Sequence, residues 1–229
     1  MALTIWRIAL SDANWAEELW PVLDSAEQNR ARRFFCAALK RRYIIAHGAL
    51  RLILANISHR STADLQFIIN PWGKPYLEAG NVVFNLSHSR DLALCAVASA
   101  GEIGVDIESF RPAEPSERLA LARRFFHSEE YYSLSMVTEA AQNAAFIRYW
   151  TRKEAYIKAK GLGLSLPLHQ FHINFTGAPA LISSEYCPAD VGKYRLWEIS
   201  VPLGYWASLA YAGADDGELI YCDWTPELS

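Results

Sequence analysis

Ala31-Arg32-Arg33-Phe34-Phe35 recurs without change as Ala122-Arg123-Arg124-Phe125-Phe126. Around each copy the residues read in a similar order. Leu3 to Leu10 reads as a strand before the first copy, and Ile103–Ile107 as a strand before the second. Helical spacing of apolar residues follows each. It runs from about residue 25 to 57, with a break expected near Gly48. In the second half it runs from Ser116 to about Leu134 and again from Thr138 to Lys160, where Gly161 serves as a C-cap. Strand pairs close each half. Val82–Leu86 and Leu92–Ala98 form a hairpin whose turn is Ser87-His88-Ser89-Arg90-Asp91. Phe171–Phe175, Arg195–Val201 and Trp206–Tyr211 are the later strands. The reading is an α+β chain duplicated internally into a half at 1–102 and a half at 103–229. A site built from both would lie in the cleft between them.

Composition narrows the function. In 229 residues, 52% are hydrophobic and 21% charged, which suits a packed core rather than a disordered chain. The net charge of −3 argues against a nucleic-acid binder. No apolar run approaches the roughly 20 residues of a membrane span, and the N-terminus lacks the pattern of a secretory signal. Cys36, Cys95, Cys187 and Cys222 show neither CxxC nor zinc spacing. They read as reduced thiols of a cytoplasmic protein.

Four constellations carry chemistry. In Gly104-Val105-Asp106-Ile107-Glu108 the two acids share one strand face. They either hold a hard divalent cation or stand as solvated acids on an edge strand. In Trp150-Thr151-Arg152-Lys153-Glu154-Ala155-Tyr156-Ile157-Lys158, Glu154 and Lys158 are i,i+4 neighbours on a helix. They form either a surface ion pair or a carboxylate and a phosphate clamp. Phe84-Asn85-Leu86-Ser87-His88-Ser89 can offer an imidazole and hydroxyls to an anion, or simply stabilise a turn. Arg30, Arg32, Arg33, Lys40, Arg41, Arg42 and Arg51 make a basic cluster that suits phosphates or is a solvated helix face. Phosphate-binding glycine loops of the nucleotide-binding types are absent, as is a serine nucleophile elbow.

The order of these motifs, with Gly73-Lys74-Pro75 before them and Gly161-Leu162-Gly163-Leu164-Ser165-Leu166 after, resembles the 4′-phosphopantetheinyl transferases. The resemblance spans about residues 25–170. The length is similar to the larger surfactin-synthetase-activating type, a pseudo-dimer of two similar halves. It implies transfer of the phosphopantetheine arm of coenzyme A to a serine of an apo carrier protein (acyl, peptidyl or polyketide). Adenosine 3′,5′-bisphosphate is released, and Mg²⁺ is required, with Mn²⁺ as an alternative. It further implies a cytoplasmic monomer.

Carried over by motif, Asp106, Glu108 and Glu154 are the metal acids, with Glu154 also the base. Lys158 stabilises the phosphates and His88 contacts them. Lys74 lies along the adenine and phosphate end. Ser87 and the basic cluster hold the 3′-phosphate, with Arg42 the foremost candidate. A lysine often found near position 27 in relatives is Glu27 here. The arginines among aromatics in Phe110–Tyr132 (Arg111, Arg118, Arg123 and Arg124) read either as a carrier-docking surface or as a packed helix with a polar face. The alternatives from other classes are a silent carrier-binding protein and a Mg²⁺-dependent phosphohydrolase.

Overall fold

The structure is a computed structural model that describes residues 3–78, 82–174, 176–214 and 218–226. In chain order its elements are β1 (Thr4–Ala9), α1 (Ala13–Leu19), α2 (Ser25–Arg32), α3 (Ala37–Ser58), β2 (Phe67–Ile69), β3 (Pro75–Leu77), β4 (Val83–Ser89) and β5 (Leu92–Ala98). The second series is β6 (Glu102–Ser109), α4 (Pro115–Phe125), α5 (Ser128–Ser135), α6 (Glu139–Lys160), β7 (Phe171–Ile173), β8 (Leu181–Ser184), β9 (Arg195–Glu198), β10 (Tyr205–Ala212) and β11 (Ile220–Trp224). The fold class is α+β. Two compact units result. One comprises Met1–Ile69, Pro75–Ala100 and Asp215–Ser229; the other comprises Asn70–Lys74 and Gly101–Ala214.

The first unit is a four-stranded sheet in the order β11-β1-β5-β4, with β2-β3 as a separate hairpin. β5 (Leu-Ala-Leu-Cys-Ala-Val-Ala) is buried at every position, as a central strand covered on both faces must be. β11 joins β1 in parallel, so the C-terminal strand belongs to the N-terminal unit rather than to the half expected at 103–229. Its Trp224 meets Trp15 of α1 edge-on at 5.5 Å.

The helical stretch near residues 25–57 does break, but not at Gly48. The chain leaves helix between Arg32 and Ala37, and Gly48 lies inside the 22-residue α3. The glycine is there for proximity: a Cβ on Gly48 would lie 2.8 Å from Leu19 Cβ, where α1 crosses α3. The hairpin turn is also shorter than expected. Ser87, His88 and Ser89 belong to β4, and only Arg90 and Asp91 turn, Arg90 at φ +49°.

The second unit holds a three-stranded antiparallel sheet, β6-β10-β9, and the hairpin β7-β8. Strand β7 ends at Ile173; Phe175 lies outside the described residues. α6 packs along β6, and the fit is closest at Gly104. A Cβ there would come within 2.2 Å of both the Ala155 carbonyl oxygen and the Ala159 amide nitrogen. Only a residue without a side chain admits the helix backbone so near the strand. α6 ends as predicted, on Gly161 in the left-handed conformation with φ +68°. Among the described residues no helix is long and apolar enough to cross a membrane.

Candidate active site

The second unit assembles four of the expected residues. Strand alternation puts Asp106 and Glu108 on one face of β6. Residues 150–160 of α6 are buried except at 150, 154, 158 and 160, so Trp150, Glu154 and Lys158 form one half-exposed stripe at i,i+4 spacing. The Gly104 contact holds that stripe against the acids. Lys158 donates from Nζ to Asp106 Oδ1 in an ion pair whose aspartate is almost fully buried. Burial, and then the charges of Asp106 and Glu108, push the Glu154 carboxyl above the ordinary carboxylate range, against the pull of Lys158. Glu154 thus lies in the field of both other acids, with Lys158 as a counter-charge. Among the described residues, no three His, Cys, Asp or Glu side chains are gathered at the spacing of a bound metal ion. The donor set nevertheless suits one. Three hard carboxylates are the kind of donor Mg²⁺ or Mn²⁺ binds.

Beside Glu108 opens a cavity of about 280 Å³, walled by Arg111, Arg118, Leu121, Phe125, Phe146 and Trp150. Arg118 bonds Asn143 Oδ1 at 3.0 Å and lies over the Phe146 ring, so its guanidinium is part of the wall.

Three candidates lie on the first unit. Arg42 makes a forked contact with Asp91 Oδ1 through Nε and Nη2, at 3.0 and 2.8 Å. His88 is exposed, while Ser87 and Ser89 are buried on the opposite face of β4. Because these residues are in a strand and not in a turn, the serines and the imidazole point in opposite directions. The basic cluster is also less open than its sequence suggests. Arg51 is buried and bonded to both Asp24 and Glu27. Glu27 also meets His47 Nδ1 at 3.2 Å.

Lys74, expected along the adenine and phosphate end, lies in the turn between β2 and β3 and belongs to the second unit. Its Nζ donates to the carbonyl oxygens of Ile103 at 2.9 Å and Ala159 at 3.0 Å.

Two residues that support the site went unread in the sequence. Lys153 and Glu130 form a fully buried ion pair. Lys153 also donates to Phe171 O at 2.8 Å, and Glu130 accepts from the Ile173 and His127 amides. The pair ties the start of α5 and strand β7 to the helix turn that carries Glu154. Burial raises the Glu130 carboxyl and lowers the Lys153 ammonium. The signal was a capping box, hidden because its N-cap residue is His127 rather than Ser or Thr.

Comparison with known proteins decides the family. The chain is 40% identical over 200 residues to the 4′-phosphopantetheinyl transferase HetI of Nostoc sp., covering 81% of this chain and 83% of HetI. The chain belongs to the 4′-phosphopantetheinyl transferase family. The family model of the 4′-phosphopantetheinyl transferase superfamily matches residues 102–211, which include all four acids and bases assembled above. A 4′-phosphopantetheinyl transferase of Bacillus subtilis is 32% identical over 158 residues, covering 69% of this chain and 68% of the relative. The 4′-phosphopantetheinyl transferase Sfp of Bacillus subtilis is 30% identical with the same coverage. This transferase therefore has its family's activity, passing phosphopantetheine to carrier proteins with coenzyme A as substrate.

Proposed function

We propose that this transferase moves the 4′-phosphopantetheine arm of coenzyme A to the serine of an apo acyl, peptidyl or polyketide carrier, releasing adenosine 3′,5′-bisphosphate. The observation that carries the reading is the convergence of Glu154 and Lys158 of α6 on Asp106 and Glu108 of β6. Asp106, Glu108 and Glu154 would hold a divalent cation, Mg²⁺ or Mn²⁺. When bound, the cation supplies charge neutralisation at the pyrophosphate and makes its phosphorus more electrophilic. Phosphoryl transfer depends mainly on such positioning and neutralisation.

The chain's own groups do the rest. Glu154, projecting from α6 beside the two acids of β6, is proposed to take the proton of the attacking serine, directly or through a water. Lys158 neutralises charge on the departing phosphate once it has left Asp106. Arg42, Ser87 and His88 of the first unit remain the proposed coenzyme A contacts. The exposed Phe125 and the arginines at 111, 118, 123 and 124 offer an acidic carrier a cationic, partly apolar approach beside Glu108.

Internal duplication belongs to the same proposal. It is supported by the strand orders β1-β5-β4 and β6-β10-β9 and by one 22-residue helix in each unit. Both copies of the repeated pentapeptide lie at the end of a helix, α2 and α4. We place the protein in the cytoplasm as a monomer, with its four cysteines reduced.

Intact mass spectrometry of an apo carrier incubated with this protein, coenzyme A and Mg²⁺ tests the reading. A gain of about 340 Da that EDTA abolishes is expected. Absence of any gain on acyl and peptidyl carriers, with coenzyme A still bound, would leave a silent binder. Release of adenosine bisphosphate without a carrier would make the enzyme a phosphohydrolase.

A further inference from the structure

We infer that Lys74 is a positioning residue that pins together the two elements carrying the acids, rather than a ligand for coenzyme A. Its ammonium donates to one carbonyl on each element. Ile103 O lies on β6, three residues before Asp106, and Ala159 O lies in the last turn of α6, next to Lys158. The last carbonyls of a helix have no partner within the helix, and a cation there also meets the negative end of the helix dipole. Lys74 thus closes α6 and ties it to the strand in one contact.

The turn around Lys74 is built to deliver it. Asn70 Oδ1 accepts from the amides of Trp72 and Lys74, at 3.0 and 2.9 Å. Asn70 Nδ2 donates to Gly161 O at 2.7 Å, so the turn grips the end of α6 at a second point. The Gly73 amide reaches back to Asn70 O, with Gly73 at φ +93°. Gly161 leaves the space this requires: a Cβ there would lie 2.9 Å from Lys74 Cδ and 3.1 Å from Asn70 Nδ2. Burial lowers the Lys74 ammonium to about 8, which Glu102 only partly offsets. A side chain held in this way at a cost of desolvation has a structural task inside the unit. Asn70–Lys74 accordingly groups with Gly101–Ala214 and not with the strands on either side of it in sequence.

The inference rests on reading Asp106, Glu108 and Glu154 as the cation site. The test uses the full chain with Lys74→Met and Lys74→Arg. Three quantities are read: amide hydrogen exchange in the last turn of α6, Mn²⁺ affinity by calorimetry without carrier, and coenzyme A affinity. In Lys74→Met, exchange rises at least tenfold and Mn²⁺ affinity falls about tenfold or more, as for a lost outer-shell support. Coenzyme A affinity stays within twofold. Arginine can still donate to both carbonyls, so Lys74→Arg restores the first two quantities to within about threefold of wild type. A tenfold loss of coenzyme A affinity with exchange unchanged would make Lys74 a phosphate ligand and overturn the inference. Unchanged exchange and unchanged Mn²⁺ affinity would overturn it as well. If the wild type bound no Mn²⁺, the cation-site reading would fall, while the exchange arm would still decide whether Lys74 pins α6.

Discussion

Gly104→Ala adds one methyl group where α6 meets β6. The new Cβ would stand 2.2 Å from Ala155 O and from Ala159 N, and 2.8 Å from the Lys158 carbonyl carbon. All three are backbone atoms within a helix, so no side chain can swing aside. α6 must withdraw by about 1 Å or more to regain normal contact distances. Overpacking of this kind costs about 1–3 kcal/mol. For a chain of this size the melting temperature should then fall by roughly 2–12 °C.

The chemistry is more sensitive than the fold. Withdrawal of α6 carries Glu154 and Lys158 away from Asp106 and Glu108, and a misplacement of about 1 Å can cost about 10²-fold in rate. Calorimetry and mass-spectrometric timing of arm transfer would measure both effects. Gly192→Ala serves as the control. It has no atom within 4 Å of its would-be Cβ, although its φ of +79° carries some strain. It should lose a little stability and no transfer rate. A Gly104→Ala protein with wild-type melting and wild-type rate would refute the claim that this contact sets the site.

Three more outcomes follow from the geometry. Folding favours protonated Glu154, because burial and neighbouring acids raise its carboxyl. Its contribution is full below the ordinary pKa and is lost as pH rises through the folded one, so ionised Glu154 is a burden at neutral pH. Glu154→Gln should therefore raise the melting temperature in EDTA, flatten its fall as pH rises above the ordinary carboxylate range, and shrink the stabilisation by Mg²⁺; an unaltered pH profile in calorimetry would contradict this. Lys153→Met leaves Glu130 buried without its counter-charge and should cost about 3–5 kcal/mol. Adding Glu130→Gln should recover part of that loss in a double-mutant cycle, and strict additivity would show the pair to be uncoupled. Arg124→Glu, on the exposed end of α4 beside Phe125, should raise KM for an acidic carrier about tenfold and leave KM for coenzyme A alone. Equal changes in both would remove α4 from the docking face.

The parts of the fold that depend on local pattern were legible in the sequence. Gly161 announces the end of α6, and period 2 puts Asp106 and Glu108 on one face. Period 3.6 aligns Glu154 with Lys158. What could not be read depends on partners distant in sequence. Gly48 looks like a helix break by propensity, yet its role is to let α1 approach. His88 sits between two serines and mimics a turn, but pairing with β5 extends β4 through it. Lys74 follows a glycine in a turn and looks exposed. Its direction is set by carbonyls 29 and 85 positions away. The pentapeptide repeat pointed to an internal duplication, but it carried no trace of β11, whose pairing with β1 joins positions more than two hundred residues apart.

That last pairing has a consequence for synthesis. A chain emerging from the ribosome normally completes its first-made domain first. Here the sheet begun by Thr4–Ala9 gains its final strand only after Ile220–Trp224 has been made, whereas the unit ending at Ala214 already has all its parts. The order of completion therefore runs opposite to the order of translation. Until the last residues arrive, one side of β1 is an open strand edge, the kind of surface that recruits other chains. A chain stopped before Ile220 should aggregate through its N-terminal half.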